Sequence, residues 1–179
     1  MIARPIAARV HRLLAVMAPA LLIAGMSTGA ATAAGAPEGE PGAKYCVIEV
    51  GRSVGGGMSP VKSQTCSDDP DSRAFTAAAD VLLMEWFWNA YNNPSNLTRV
   101  IGSDGPCDAS GYRLKPNLIW DNEISGFNTY SGCHQVTLYD GYSWDGDSSY
   151  WYDGTHDGPD AGYVGAHMND RTSSLWIRY

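Results

Sequence analysis

The chain has 179 residues, with 12 Lys and Arg against 19 Asp and Glu and a formal net charge of −7. That acidic balance argues against nucleic acid and anionic membrane as partners, because both need a basic face that displaces counterions. Neither a G-x-S-x-G elbow nor an H-E-x-x-H helix is present, and His134, His156 and His167 fall in loops without ligand spacing, so no enzyme activity is expected.

Residues 1–33 read as an export leader. Arg4, Arg9 and Arg12 make a positive start, Leu13 to Met26 an apolar run broken by Pro19 and Gly25, and Ala31-Thr32-Ala33 a cleavage signal. The run is too short for a comfortable membrane span, and the unpaired arginines favour the general export route. The protein is therefore expected to be secreted and monomeric, with nine basic against nineteen acidic residues after cleavage, a net charge of −10. Residues 34–44, rich in Gly, Pro and Glu, are expected to form a disordered lead-in.

Cys46, Cys66, Cys107 and Cys133 all follow the leader. An even number in an oxidising compartment, without C-x-x-C spacing, indicates disulfides. Three pairings are possible; Cys46–Cys66 and Cys107–Cys133 are favoured because each closes a local loop, each stabilising by about 3 kcal/mol. Short apolar runs rich in Trp and Tyr, separated by Gly, Asp, Asn and Ser, indicate an all-β class.

Residues 45–80 are expected to form an extension of their own. Tyr45 to Val50 and Val61 to Cys66 are strand-like and joined by a Gly-rich loop from Gly51 to Pro60, a disulfide-stapled hairpin. Asp69-Pro70-Asp71 is expected to cap a short helix through Ala74 to Ala79. From Val81 the chain repeats itself, as motif one (81–133) and motif two (134–179). Trp86 aligns with Tyr139, Tyr91 with Trp144, Asn93 with Gly146 and Ser95 with Ser148. Asp104-Gly105-Pro106 with Gly111-Tyr112 aligns with Asp157-Gly158-Pro159 and Gly162-Tyr163. Each unit ends on a run of oxygen donors before an apolar segment, Asp121-Asn122-Glu123-Ile124-Ser125-Gly126 and Asn169-Asp170-Arg171-Thr172-Ser173-Ser174. Carboxylate, carboxamide and hydroxyl turns of this kind suit Ca²⁺, which takes roughly six to eight oxygens in flexible geometry.

These features resemble the βγ-crystallin family over residues 81–179. Tyr139 to Gly146 with Ser148 matches its signature of an aromatic, six residues, a glycine and a nearby serine, and Asn169 to Ser174 matches its calcium signature N/D-N/D-x-x-S/T-S in full. The resemblance implies a two-motif Greek-key sandwich and two Ca²⁺ sites, one drawing on Asp121, Asn122 and Ser125 and the other on Asn169, Asp170 and Ser173. The resemblance also implies that the sites are shared across the pair, each completed by a carbonyl from the other motif's hairpin loop, with those near Phe87 and Asp140 as candidates. Motif one departs at Asn93, where a glycine of positive φ is expected, and at Gly126, which replaces the last serine.

Trp86, Tyr139 and Trp176 are expected to pack as core or wedge residues. Tyr142, Trp144, Tyr150, Trp151 and Tyr152 suit packing too, with stacking on sugars as the functional alternative. Similar small secreted crystallin-like proteins include metalloproteinase inhibitors and killer-toxin-like antifungals. The candidate roles are accordingly calcium binding that stabilises the fold, inhibition of a secreted protease through the Gly51–Pro60 loop or the Cys107 region, and recognition of a cell-wall glycan.

Overall fold

The computed structural model describes residues 45–76, 81–116, 120–155 and 157–179. The expected leader and lead-in, His156 and the far end of the expected helix lie outside them. Among the described residues ten strands follow in order: β1 (Tyr45–Val50), β2 (Val61–Ser67), β3 (Leu82–Phe87), β4 (Leu97–Gly102), β5 (Tyr112–Leu114), β6 (Gly126–Thr129), β7 (Gln135–Tyr139), β8 (Ser148–Tyr152), β9 (Asp160–Ala161) and β10 (Ser174–Arg178). Burial alternates as the pleat requires: in β1, Cys46, Ile48 and Val50 are buried while Tyr45, Val47 and Glu49 lie on the other face. Among the described residues no helix is long and apolar enough to cross a membrane.

The strands form a six-stranded sheet, β2-β1-β4-β3-β6-β9, and a four-stranded sheet, β5-β10-β7-β8. In motif one the first, second and fourth strands (β3, β4, β6) share a sheet, and the third, β5, crosses into the other. Motif two does the converse, keeping β7, β8 and β10 together and sending β9 across. This exchange interlocks two Greek keys into one sandwich around a shared core, so neither motif buries its inner face alone. The fold is thus an all-β, two-motif Greek-key sandwich with an N-terminal disulfide-stapled hairpin.

The hairpin continues one sheet. β1 pairs antiparallel with β2, with Cys46 opposite and bonded to Cys66, and parallel with β4 from Tyr45↔Leu97 to Val50↔Gly102. That parallel pairing covers an edge of the Greek-key sheet that would otherwise present unpaired backbone groups. The second disulfide joins Cys107 to Cys133. Between the sheets, Trp86, Trp120, Tyr112, Phe127, Ile124, Met168 and Leu175 are buried in one cluster.

A smaller cluster lies on the outer face of the six-stranded sheet, where Phe75 packs with Phe87, Leu97, Tyr45 and Val47. Phe75 belongs to α1 (Arg73–Thr76), a single turn within the described residues. Its start departs from expectation. Ser72, next to the helix, receives the Phe75 N–H through its carbonyl at 3.0 Å, while the Asp69 side chain closes an Asx turn onto Asp71 N–H at 2.9 Å. Arg99 locks the turn down, donating to the Phe75 carbonyl at 2.8 Å and pairing with Glu85 at 2.9 Å.

The strand register corrects the repeat alignment. Phe87 stands opposite Gly126 and Leu97 as Tyr139 stands opposite Ser174 and Ser148, so Phe87, not Trp86, is the counterpart of Tyr139. Ser95 lies in the loop, and Leu97 takes the place matching Ser148. Asn93 is not the residue of positive φ; Tyr91 (64°) and Asn92 (53°) are, against Trp144 (58°) and Gly146 (76°) in motif two. The Gly-Tyr doublets are not equivalent either, for Tyr112 is buried within β5 whereas Tyr163 is 43% exposed beyond β9. The shared Asp-Gly-Pro composition reflects turns in both units, while register is set by the ladders with β6 and β10.

Candidate metal centre

The two oxygen-rich hexapeptides meet, and they do so reciprocally. Asn122 N–H donates to the Thr172 carbonyl at 3.1 Å and Asp170 N–H to the Ile124 carbonyl at 3.4 Å. Ser125 Oγ donates to Asp170 Oδ1 at 3.1 Å, and Ser173 Oγ to Asn122 Oδ1 at 3.4 Å. The second residue of each hexapeptide therefore faces the fifth residue of the other. Both second residues have positive φ, 64° at Asn122 and 55° at Asp170, a conformation that Asn and Asp tolerate better than other non-glycine residues.

This clasp regroups the predicted ligands. The expected sets, Asp121, Asn122 and Ser125 against Asn169, Asp170 and Ser173, each come from one hexapeptide, whereas the structure joins Asn122 with Ser173 and Asp170 with Ser125. Sequence could not reveal the crossing, because it depends on the exchange of β5 and β9 between sheets. Ser125 N–H donates to the Phe87 carbonyl and Ser173 N–H to the Tyr139 carbonyl, both at 2.9 Å, so each hexapeptide is tied to the first strand of its own motif.

Around the clasp the two copies differ in charge. In motif one the third residue is Glu123, whose carboxyl is pushed above its ordinary pKa first by burial and then by the charge of Asp170. In motif two it is Arg171, which pairs with Asp140 at 2.6 Å and Asp147 at 3.4 Å and donates to the His167 carbonyl at 2.9 Å. Asp121 Oδ2 accepts from the Tyr142 hydroxyl at 3.0 Å, a bond that raises the phenol pKa. Its Oδ1 is buried with no hydrogen-bond partner. A carboxylate oxygen hidden from water and lacking a donor is unfavourable unless something positive meets it.

Asn169 donates to Asp170 Oδ2 at 2.6 Å, so it orients that carboxylate. Ser174, the last residue of the second hexapeptide, accepts from Trp144 N–H at 3.1 Å and donates to the Gly141 carbonyl at 2.5 Å, tying the hairpin loop down. At the matching Gly126, a Cβ would come 2.9 Å from the Gly162 carbonyl and 3.0 Å from that of Ala161, so close approach of the β9 segment requires the glycine. Among the described residues no three His, Cys, Asp or Glu side chains converge. A cation held here would draw on carboxamide, hydroxyl and carbonyl oxygens with one or two carboxylates. That set of hard donors fits Ca²⁺ and does not fit zinc.

No protein-family model matches the chain, and no curated protein does. Among solved structures the chain is similar to the N-terminal domain of protein S, at 16% identity over 53% of this chain and 93% of that one, with a TM-score of 0.38. It is similar also to a βγ-crystallin domain from Flavobacterium johnsoniae, at 15% identity over 53% and 92%, with a TM-score of 0.35.

Proposed function

We propose that this is an exported, non-enzymatic Ca²⁺-binding protein of crystallin type, in which the ion stabilises the sandwich by binding the folded state alone. The observation that carries the proposal is the reciprocal clasp, which gathers Asp170 with Ser125 and Asn122 with Ser173, beside the partnerless Oδ1 of Asp121. Asp121, Asn122, Ser125, Asp170 and Ser173 would hold the ion and Asn169 would orient Asp170. Few formal carboxylates place the affinity in the weak extracellular range, about 10⁻⁵–10⁻³ M. Calorimetric titration of the exported protein with Ca²⁺ tests this: heat with about two sites and a higher melting temperature than in EDTA are expected. Silence in both measurements would leave the hexapeptides as structural turns.

A second reading, protease inhibition, draws on the 51–60 loop. Its base is pinned by Arg52, which pairs with Asp108 and donates to the Asp104 and Pro106 carbonyls, both at 2.8 Å, while Ser59 N–H donates to the Arg113 carbonyl at 2.8 Å. Its tip leaves Val54 83% and Met58 53% exposed. A pre-organised base with an apolar tip lowers the ordering cost of entering an enzyme cleft. Loss of inhibition on Val54→Asp, in a panel of secreted metalloproteases, would support it; no inhibition at micromolar wild-type protein would remove it.

A further inference from the structure

The two outer faces of the sandwich are dressed differently. That of the six-stranded sheet carries α1 and the Phe75 cluster. The register places Arg113, Trp176, Thr137 and Tyr150 in one row across the outer face of the four-stranded sheet, with Arg178 and Tyr152 two residues further along their strands. None of its four strands contains Asp or Glu. Trp176, expected as a core or wedge residue, stands half-buried on this face with the Arg113 guanidinium 4.2 Å and the Arg178 guanidinium 3.9 Å from its ring centroid. The Trp144 ring, 5.4 Å from the Arg113 guanidinium, has Lys115 Nζ 5.1 Å from its centroid.

Arg52, Arg99 and Arg171 each pair with a carboxylate, but among the described residues no ion pair involves Arg113, Lys115 or Arg178. Stacking on an indole occupies only the flat face of a guanidinium and leaves its in-plane N–H donors available. Arg178 uses Nε on Gln135 Oε1 at 3.1 Å, and Arg113 Nε is buried, which leaves the terminal guanidinium nitrogens as the groups that would meet an anion. In a chain of net charge −7 this is a segregated positive patch, edged by Tyr150 and Tyr152, 55% and 64% exposed.

We propose that this face binds an acidic polysaccharide. Its carboxylate or sulfate groups would meet Arg113, Arg178 and Lys115, and its pyranose rings would lie on Tyr150 and Tyr152. The outward side chains are aromatic, hydroxyl, amide or cationic, with no aliphatic cluster, which matches the mixed C–H and hydroxyl surface of a sugar better than the apolar centre of a protein partner. A nucleic acid, with one charge per roughly 1.7 Å of duplex, would meet strong repulsion from the acidic remainder. An acidic glycan spaces its charges more widely.

The test is calorimetry of the exported protein in EDTA at low salt with four probes: a hexameric polyuronate, its methyl ester, a neutral β-glucan hexamer and oligo-dT. The polyuronate is expected to bind and to weaken with added salt, while the ester and the glucan do not bind. Arg178→Gln and Tyr150→Ala should each weaken it by about tenfold without moving the melting temperature, as loss of one charged or stacking contact predicts. Tyr152→Ala serves as a further exposed-site variant if either of the first two is unstable. Absence of polyuronate binding at millimolar concentration, equal binding of the ester, or variants that bind as well as wild type would overturn the proposal. So would tighter binding of oligo-dT, or a dimer on size-exclusion chromatography that Arg178→Gln dissociates, which would give the face to a second copy of the chain.

Discussion

Replacing Asp170 separates what the clasp owes to backbone and to side chain. Asp170 has φ 55°, and its carboxylate accepts the Ser125 hydroxyl at 3.1 Å. Alanine keeps the positive φ but lacks local side-chain compensation, at a cost of about 1 kcal/mol, and it leaves the buried Ser125 hydroxyl without its acceptor, about 1–2 kcal/mol more. Asp170→Ala should therefore lose about 2–3 kcal/mol in EDTA, and Asp170→Gly, which relieves the backbone, about 1 kcal/mol less. Calcium adds a second axis. With an affinity near 10⁻⁴ M, about 5 mM Ca²⁺ contributes roughly 2.3 kcal/mol per site through RT ln(1 + [L]/Kd). Urea unfolding should show the wild type gaining about 4–5 kcal/mol from Ca²⁺ and both variants about half of that. A full wild-type calcium gain in Asp170→Ala would refute its role as a ligand. Equal stability of the Ala and Gly variants in EDTA would refute the backbone argument.

Two further expectations follow from the same geometry. Removing the Cys107–Cys133 bridge, which spans a separation of 26 residues, should cost about 3.5 kcal/mol in urea by the loop-entropy relation; a loss below about 1 kcal/mol would show that Cys107 and Cys133 stay close in the unfolded chain. Glu123 has a folded pKa raised above 4.5 by burial and by Asp170, so its stabilising contribution is complete below that value and is lost as pH rises through the folded pKa. Glu123→Gln should accordingly be more stable than wild type at neutral pH in EDTA, with the advantage vanishing below about pH 4.5. A constant difference across that window in paired melts would mean that titration is not its source.

The sequence by itself determined the all-β class, the strands of the hairpin and the two hexapeptides, and it favoured, among three possible connectivities, the disulfide pairing that the structure shows. Each is encoded locally, in period-2 alternation, turn chemistry, loop closure or a run of oxygen donors. Local patterning also raised the duplication, yet it misplaced the register, because Asp-Gly-Pro turns recur for their own conformational reasons while the pairing of Phe87 and Tyr139 is set across the sheets. Only the tertiary structure decided which oxygens meet. Asn122 faces Ser173 and Asp170 faces Ser125 because each motif lends its third strand to the other's sheet, and no spacing within one hexapeptide carries that information. The same holds for Trp176. Its alternation allows either face, and the pairing of β10 between β5 and β7 turns it outward against Arg113 and Arg178, where it supports a charged surface rather than filling the core.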